Sequence, residues 1–267
     1  MCFRKLSKAG KIELMTKKFF IKLGSGIKLE MMVEREEREG KWPTVLLVPG
    51  FHSDLHEWGY FDQISRGLVK VGFQVFRFSF SGSGKSGGKV YDITLSRQIN
   101  ELNDVLNWVR SEKEVDKQRL GLLAQSFGVA TTIAALPLLV KSVVFTSGAY
   151  NPRRSLEDLF KDLGGVFNEK GDSYFEADYD SVRVGLQLWG DLEKYDLEKL
   201  IKRKTQSLLM LHGKKDYVPW QSAKRVFEAA GEPKQIELPE KANHGFEPPY
   251  RKWLVKKVVE WFKETLV

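Results

Sequence analysis

The chain has 267 residues, of which 42% are hydrophobic and 29% charged. That composition is globular and excludes a disordered or collagen-like chain. Forty-three basic residues against 35 acidic ones leave a formal charge of +8, which favours anionic partners in general. No zinc-finger spacing, RNA-binding aromatic strand or basic heptad accompanies it, so nucleic acid is not expected as a partner.

Cys2 is the single cysteine and can form neither an internal disulfide nor a thiolate metal site. The four histidines are scattered, and neither a metal nor an organic cofactor is expected. The chain has no apolar run of about 18 residues, so no stable membrane insertion is expected. The segment Met1–Lys18 is basic but lacks the apolar stretch of a signal peptide. The expected location is the cytoplasm, with residues 1–16 as a solvated basic tail.

The first elements read as a hairpin, Phe19–Leu23 and Ile27–Val33 around the turn Gly24-Ser25-Gly26. Short apolar strands follow at Thr44–Val48, Gln74–Phe78, Leu120–Ala124, Lys141–Thr146, Gln206–His212 and Lys234–Leu238. Continuous apolar runs of this length are how strands buried on both faces read. Helical patterns fall between them at Phe61–Val71, Phe127–Leu136, Ser222–Ala230 and Arg251–Leu266. The clearest helix carries Leu95, Ile99, Leu102, Leu106 and Val109 on one stripe. Alternation of strand and helix predicts an α/β fold, a mostly parallel doubly wound sheet behind an N-terminal antiparallel hairpin. Ligands then belong at the carboxyl ends of the strands.

One stretch breaks the rhythm. Residues 150–204 are rich in charge and aromatics, Phe160, Phe167, Tyr174, Phe175, Tyr179, Trp189 and Tyr195 among them. That is too long for a plain loop, so it is expected to be a cap inserted over the strand ends. The core is then 17–149 plus 205–267.

The most informative segment is Ala124-Gln125-Ser126-Phe127-Gly128, between an apolar strand and an apolar helix. Small residues two before and two after the serine allow a sharp turn that exposes its hydroxyl above the sheet. A serine hydroxyl needs a base. His244, in the loop Ala242-Asn243-His244-Gly245-Phe246 after the last strand, is the best placed of the four histidines. His212 ends a strand and reads as a structural residue; His52 and His56 come early in the chain. The base needs an orienting carboxylate, and Asp216 lies in the turn just beyond the strand Ser207–Leu211. Asp191 and Asp196 compete, but within the charged insertion. A tetrahedral oxyanion needs two donors, for which the backbone N–H groups of Phe51, after Pro49-Gly50, and of Phe127 are candidates. Gly50, His52 and Trp189 are expected to contact substrate. Gly84-Lys85-Ser86 imitates the end of a phosphate loop, but Ser79 stands where that loop needs glycine, and Gly87-Gly88 follow instead of a helix.

With these residues in place, the chain from Lys17 to Val267 resembles the α/β-hydrolase family, and within it the serine esterase and lipase branch that includes cinnamoyl (feruloyl) esterases and monoacylglycerol lipases. The matching motifs are Pro49-Gly50-Phe51, the serine pentapeptide, His212-Gly213-Lys214-Lys215-Asp216-Tyr217-Val218-Pro219 and Asn243-His244-Gly245. The resemblance implies nucleophile Ser126, acid Asp216, base His244, oxyanion donors Phe51 and Phe127, and a cap. Three positions depart from the usual pattern: Ala124 for glycine, Pro49 for histidine and Ser79 for aspartate. The expected activity is cleavage of carboxylic esters with aryl or medium-length acyl groups, the partner being a small-molecule ester. Amide cleavage by the same residues and a non-catalytic binding role are the alternatives, and self-association into a homo-oligomer is left open.

Overall fold

In the computed structural model, residues 14–177 and 180–267 are described. The basic segment 1–13, with Cys2, and Tyr179 lie outside the described residues. Strand β1 (Leu14–Lys22) pairs antiparallel with β2 (Lys28–Glu36). The hairpin is therefore longer than expected, and Leu14, Met15 and Thr16 belong to its first strand instead of a tail.

The remaining strands of the main sheet are β3 (Trp42–Val48), β4 (Gln74–Phe78), β5 (Val115–Gln125), β6 (Ser142–Thr146), β9 (Ser207–Leu211) and β10 (Lys234–Glu237). Spatial order is β1-β2-β4-β3-β5-β6-β9-β10. β2 meets β4 antiparallel, and every later pairing is parallel. This is the mostly parallel, doubly wound sheet that the alternation predicts.

Helices α1 (Tyr60–Val69), α2 (Leu95–Ser111), α3 (Phe127–Ala134) and α7 (Trp220–Ala229) lie between strands, and α8 (Tyr250–Leu266) follows the last one. Successive side chains of a strand point to opposite faces, and the apolar runs divide accordingly. Val45 and Leu47 pack with Phe61, Ile64, Leu68, Val258 and Phe262 of α1 and α8. Leu46 and Val48 pack with Leu102, Val105, Val129 and Ile133 of α2 and α3. Two helical layers thus cover the middle of the sheet, which is why β3, β6 and β9 carry no polar alternation. Helix α2 begins where the Thr94 hydroxyl accepts the N–H of Arg97 at 3.1 Å, a side-chain N-cap.

A buried cation organises the loop between β3 and α1. Arg77, 1% exposed, donates to Asp62 at 2.5 Å, to Glu34 at 2.5 Å and to the carbonyl of Leu55 at 3.3 Å. Asp62 also accepts from Nδ1 of His56 at 2.9 Å. Ser65 donates to the same Glu34 carboxylate. Burial would raise the Asp62 carboxyl, but the Arg77 and His56 contacts hold it below the usual carboxylate range.

Between β6 and β9 the chain forms α4 (Pro152–Asp162), an antiparallel pair β7 (Ser173–Ala177) and β8 (Asp180–Val184), α5 (Gln187–Leu192) and α6 (Leu197–Leu200). Its own core is aromatic. Phe160 packs edge-on against Phe175 and Trp189, with ring centroids 4.9 and 5.7 Å apart. Asp191 joins the insertion to α2 by accepting from the N–H and hydroxyl of Ser96. Among the described residues, no helix is long and apolar enough to cross a membrane.

Candidate active site

Ser126 sits between β5 and α3 with φ 51° and ψ −119°. A non-glycine residue in that region is strained by about 1–3 kcal/mol. The surroundings hold it there: its N–H donates to the Thr146 carbonyl at 3.0 Å, and its carbonyl accepts from Ala149 and Val129 at 3.0 Å each. Gly128 is dictated by a close approach, since a Cβ there would lie 2.4 Å from the Pro49 carbonyl oxygen. This contact lays the Pro49-Gly50-Phe51 turn across the start of α3. Among the described residues, no acceptor in the protein takes the N–H of Phe51 or of Phe127. Phe127 opens α3 directly after Ser126, and Phe51 lies in the turn after β3.

His244 and Asp216 come together from the loops after β10 and β9. Nδ1 of His244 lies 2.8 Å from Oδ1 of Asp216. A carboxylate only accepts, so the proton is on Nδ1 and Nε2 is left with its lone pair. The Asp216 side chain is 0% exposed and also accepts the N–H of Val218 at 2.9 Å. Burial would raise its pKa. The His244 bond and charge, His212 and the Val218 N–H outweigh it and leave the carboxyl below its ordinary value. Gly213 permits the two loops to meet, because a Cβ there would strike the Ala242 carbonyl at 2.1 Å. The Ser147 hydroxyl fixes the His244 backbone by donating to its carbonyl at 2.8 Å.

Among the described residues, no hydrogen bond joins Ser126 directly to His244. The hydroxyl of Tyr217 stands 3.4 Å from Nε2 of His244, and it also interacts with Ser126. Its ring lies against the imidazole, with centroids 4.4 Å apart.

Glu57 was not singled out by the sequence, yet it lies beside these groups. Its carboxylate accepts the N–H of Gly50 at 2.9 Å. Burial pushes its pKa from 4.5 up to about 7, against the lowering effects of the Gly50 and Ser53 hydrogen bonds and of His244. Glu57, Trp58 and Gly59 all have positive φ, 46°, 54° and 78°, which turns the chain sharply into α1.

These side chains surround one cavity of about 550 Å³, a size suited to a small organic ligand. Gly50, Phe51, His52, Ser126, Tyr217 and His244 line its floor. Leu159, Leu163, Phe175 and Val182 of the insertion form an apolar wall. Gly50 and His52, expected to contact substrate, line this cavity. Trp189 corrects the expectation: it is 1% exposed, lies between Phe160 and Phe167, and donates its indole N–H to Ser173 at 3.0 Å. It is the core of the insertion and does not line the cavity.

The competing residues are occupied elsewhere. Asp191 accepts from Ser96 and from Lys194 at 2.9 Å, and Asp196 caps α6 by accepting the N–H of Lys199. His212 is buried with Nε2 2.9 Å from the Val218 carbonyl, and burial lowers its pKa. His56 is held by Asp62.

The profile of the prolyl oligopeptidase family matches residues 60–267. The chain belongs to the prolyl oligopeptidase family. YfhR of Escherichia coli O157:H7, a protein named as uncharacterized, is 29% identical over 177 residues, 64% of this chain and 53% of its own length. The chain therefore spans about half the length of YfhR. "Putative esterase YitV" of Bacillus subtilis (strain 168) is 28% identical over 267 residues, 91% of this chain and 96% of its own. Among solved structures, Est1E from Butyrivibrio proteoclasticus with ferulic acid bound matches with a TM-score of 0.79 at 18% identity, covering 92% of this chain and 98% of that one. Alpha/beta hydrolase domain-containing protein 10 from mouse matches with a TM-score of 0.71 at 19% identity, covering 93% and 99%. The fold of this family member is that of the α/β-hydrolases.

Proposed function

We propose that this family member is a serine hydrolase of carboxylic esters. The observation that carries the reading is the 2.8 Å Asp216–His244 pair sharing a cavity with a strained Ser126. In this reading Nε2 of His244 takes the proton of the Ser126 hydroxyl, whose oxygen attacks the ester carbonyl. The unpartnered N–H groups of Phe51 and Phe127 receive the oxyanion. His244 passes its proton to the departing alcohol, and an ester bond now links the acyl group to Ser126. A water molecule, deprotonated by His244, then attacks this acyl-enzyme and releases the acid. Asp216 keeps the imidazole in the Nδ1–H tautomer and stabilises its cation. The first proton transfer requires the Tyr217 hydroxyl to withdraw from Nε2, and an arriving substrate is the natural agent of that displacement.

Ester rather than amide cleavage is supported by the relative YitV, whose name refers to an esterase. The apolar wall of Leu159, Leu163, Phe175 and Val182 favours an aryl or medium-length acyl group. Ferulic acid, the aryl acid bound in Est1E, is of that kind. The family's name keeps amide cleavage as the second reading, since the same residues serve both leaving groups.

The test is Ser126→Ala on a panel of aryl esters of increasing acyl length with one cinnamate-type ester. Turnover should fall by about 10⁴–10⁶ while the fold persists, and a fluorophosphonate should label Ser126 in the parent protein. Full turnover in the variant would exclude this role. Faster cleavage of an aminoacyl-arylamide than of its matched aryl ester would select the second reading.

A further inference from the structure

Arg251, in the first turn of α8, is the one permanent cation among the described residues lining the cavity. Nε donates to the carbonyls of Gly245 and Phe246 at 3.1 and 3.3 Å, and Nη2 donates to Gly245. Nη1 has no acceptor among the described residues, and no carboxylate lies within ion-pair distance of the guanidinium. One edge of the planar fork is thus held by the histidine loop and the other is free. The group lies over the Tyr60 ring, 4.7 Å from its centroid, and Tyr60 also lines the cavity.

The charged and titratable groups around it leave the cation uncompensated. Burial lowers the Arg251 pKa, and only Tyr60 and Glu247 act in the opposite direction. Glu247 is exposed and is engaged by the Asn243 amide at 2.8 Å. Glu57 and His244 are the other titratable groups on the same cavity wall, with His52 and Tyr217. A half-buried guanidinium without a counter-charge in a mostly apolar cavity is a ready partner for a carboxylate, which it engages more strongly there than in water.

We propose that Arg251 forms an anion subsite in the cavity, and that the ester cleaved beside it carries a free carboxylate reached by Nη1. The ester part of this statement rests on the reading above; the anion part does not. The carboxylate belongs either to the acyl chain, as in a monoester of a dicarboxylic acid, or to the alcohol, as in an acetylated hydroxybenzoate.

Two matched pairs distinguish these sources: 4-nitrophenyl hydrogen glutarate against 4-nitrophenyl pentanoate, and 3-acetoxybenzoate against phenyl acetate. The quantity read is the ratio of kcat/KM for the anionic ester to that for the neutral one, so that a general loss of activity cancels. In one pair the ratio should fall about tenfold or more in Arg251→Met, be partly retained in Arg251→Lys, and fall with added salt in the parent protein. Calorimetric binding of glutarate and 3-hydroxybenzoate supplies a readout without catalysis, and one of them should lose affinity in Arg251→Met. Equal slowing of both members of each pair, with binding unchanged, would reduce Arg251 to a prop for the histidine loop and overturn the proposal. If Arg251→Met does not fold, a parent protein whose ratios ignore salt and which binds neither acid overturns it equally. A protein that binds one of the acids in an Arg251-dependent way but cleaves no ester sustains the anion subsite and refutes the esterase reading alone.

Discussion

The carboxylate of Glu57 and the N–H of Gly50 are joined at 2.9 Å, so an ionisable side chain holds the turn that leads to one of the two unpartnered donors beside Ser126. Burial raises this carboxyl from 4.5 to about 7. Between those values the folded protein binds more protons at Glu57 than the unfolded chain does. Its contribution to stability is therefore full below about pH 4.5, declines as pH rises, and is lost above about pH 7. The shift corresponds to about 3 kcal/mol across that window. Glu57→Gln should remove this fall, which urea unfolding of both proteins at about pH 5 and about pH 8 measures. Identical pH dependence in the two would show that Glu57 titrates normally.

Tyr217 competes for the lone pair of His244 from 3.4 Å away. A hydrogen bond of this kind contributes about 0.5–1.5 kcal/mol to the resting state. Tyr217→Phe keeps the ring against the imidazole and removes the competitor. Single-turnover acylation by an aryl ester should then accelerate about two- to tenfold. A slower acylation would mean that the hydroxyl assists the reaction instead of blocking it.

Arg77 connects β4 to the loop carrying Glu57 through Asp62 and the Leu55 carbonyl. Arg77→Leu would leave Glu34 and Asp62 without their shared cation. Both carboxylates are partly exposed, 24% and 33%, so the cost should lie near the low end for a broken buried pair, about 3 kcal/mol. Chemical denaturation reads the loss, and a change below about 0.5 kcal/mol would show that water replaces the guanidinium at little cost.

Much of this architecture was legible from period alone. The apolar runs at Thr44–Val48 and Leu120–Ala124 lie within strands covered on both faces, and the stripe from Leu95 to Val109 lies on a helix. Ser126, Asp216 and His244 could be proposed together because each follows a different strand and a parallel sheet gathers those ends on one edge. The β7–β8 pair was missed because Ser173-Tyr-Phe-Glu-Ala carries no sustained apolar alternation, and beyond β8 it makes only the bridge of Tyr174 to Val166. Trp189 was misplaced because aromatic content signals burial without direction, and the burial proved internal to the insertion. Glu57 and Arg251 lay in no motif, and Tyr217 stood in the Asp216 motif without a role of its own. Their positions beside the site depend on loop geometry, such as the positive φ of Glu57 and Trp58, that composition and spacing do not encode.

The bond between Asp191 and Ser96 has a mechanical consequence. It clamps the rear of the insertion to the amino end of α2, where Asp191 also benefits from the helix dipole. The insertion is tied a second time where the Tyr91 carbonyl accepts the N–H of Gly185 at 3.1 Å, so both anchors lie on the segment that runs from Tyr91 into α2.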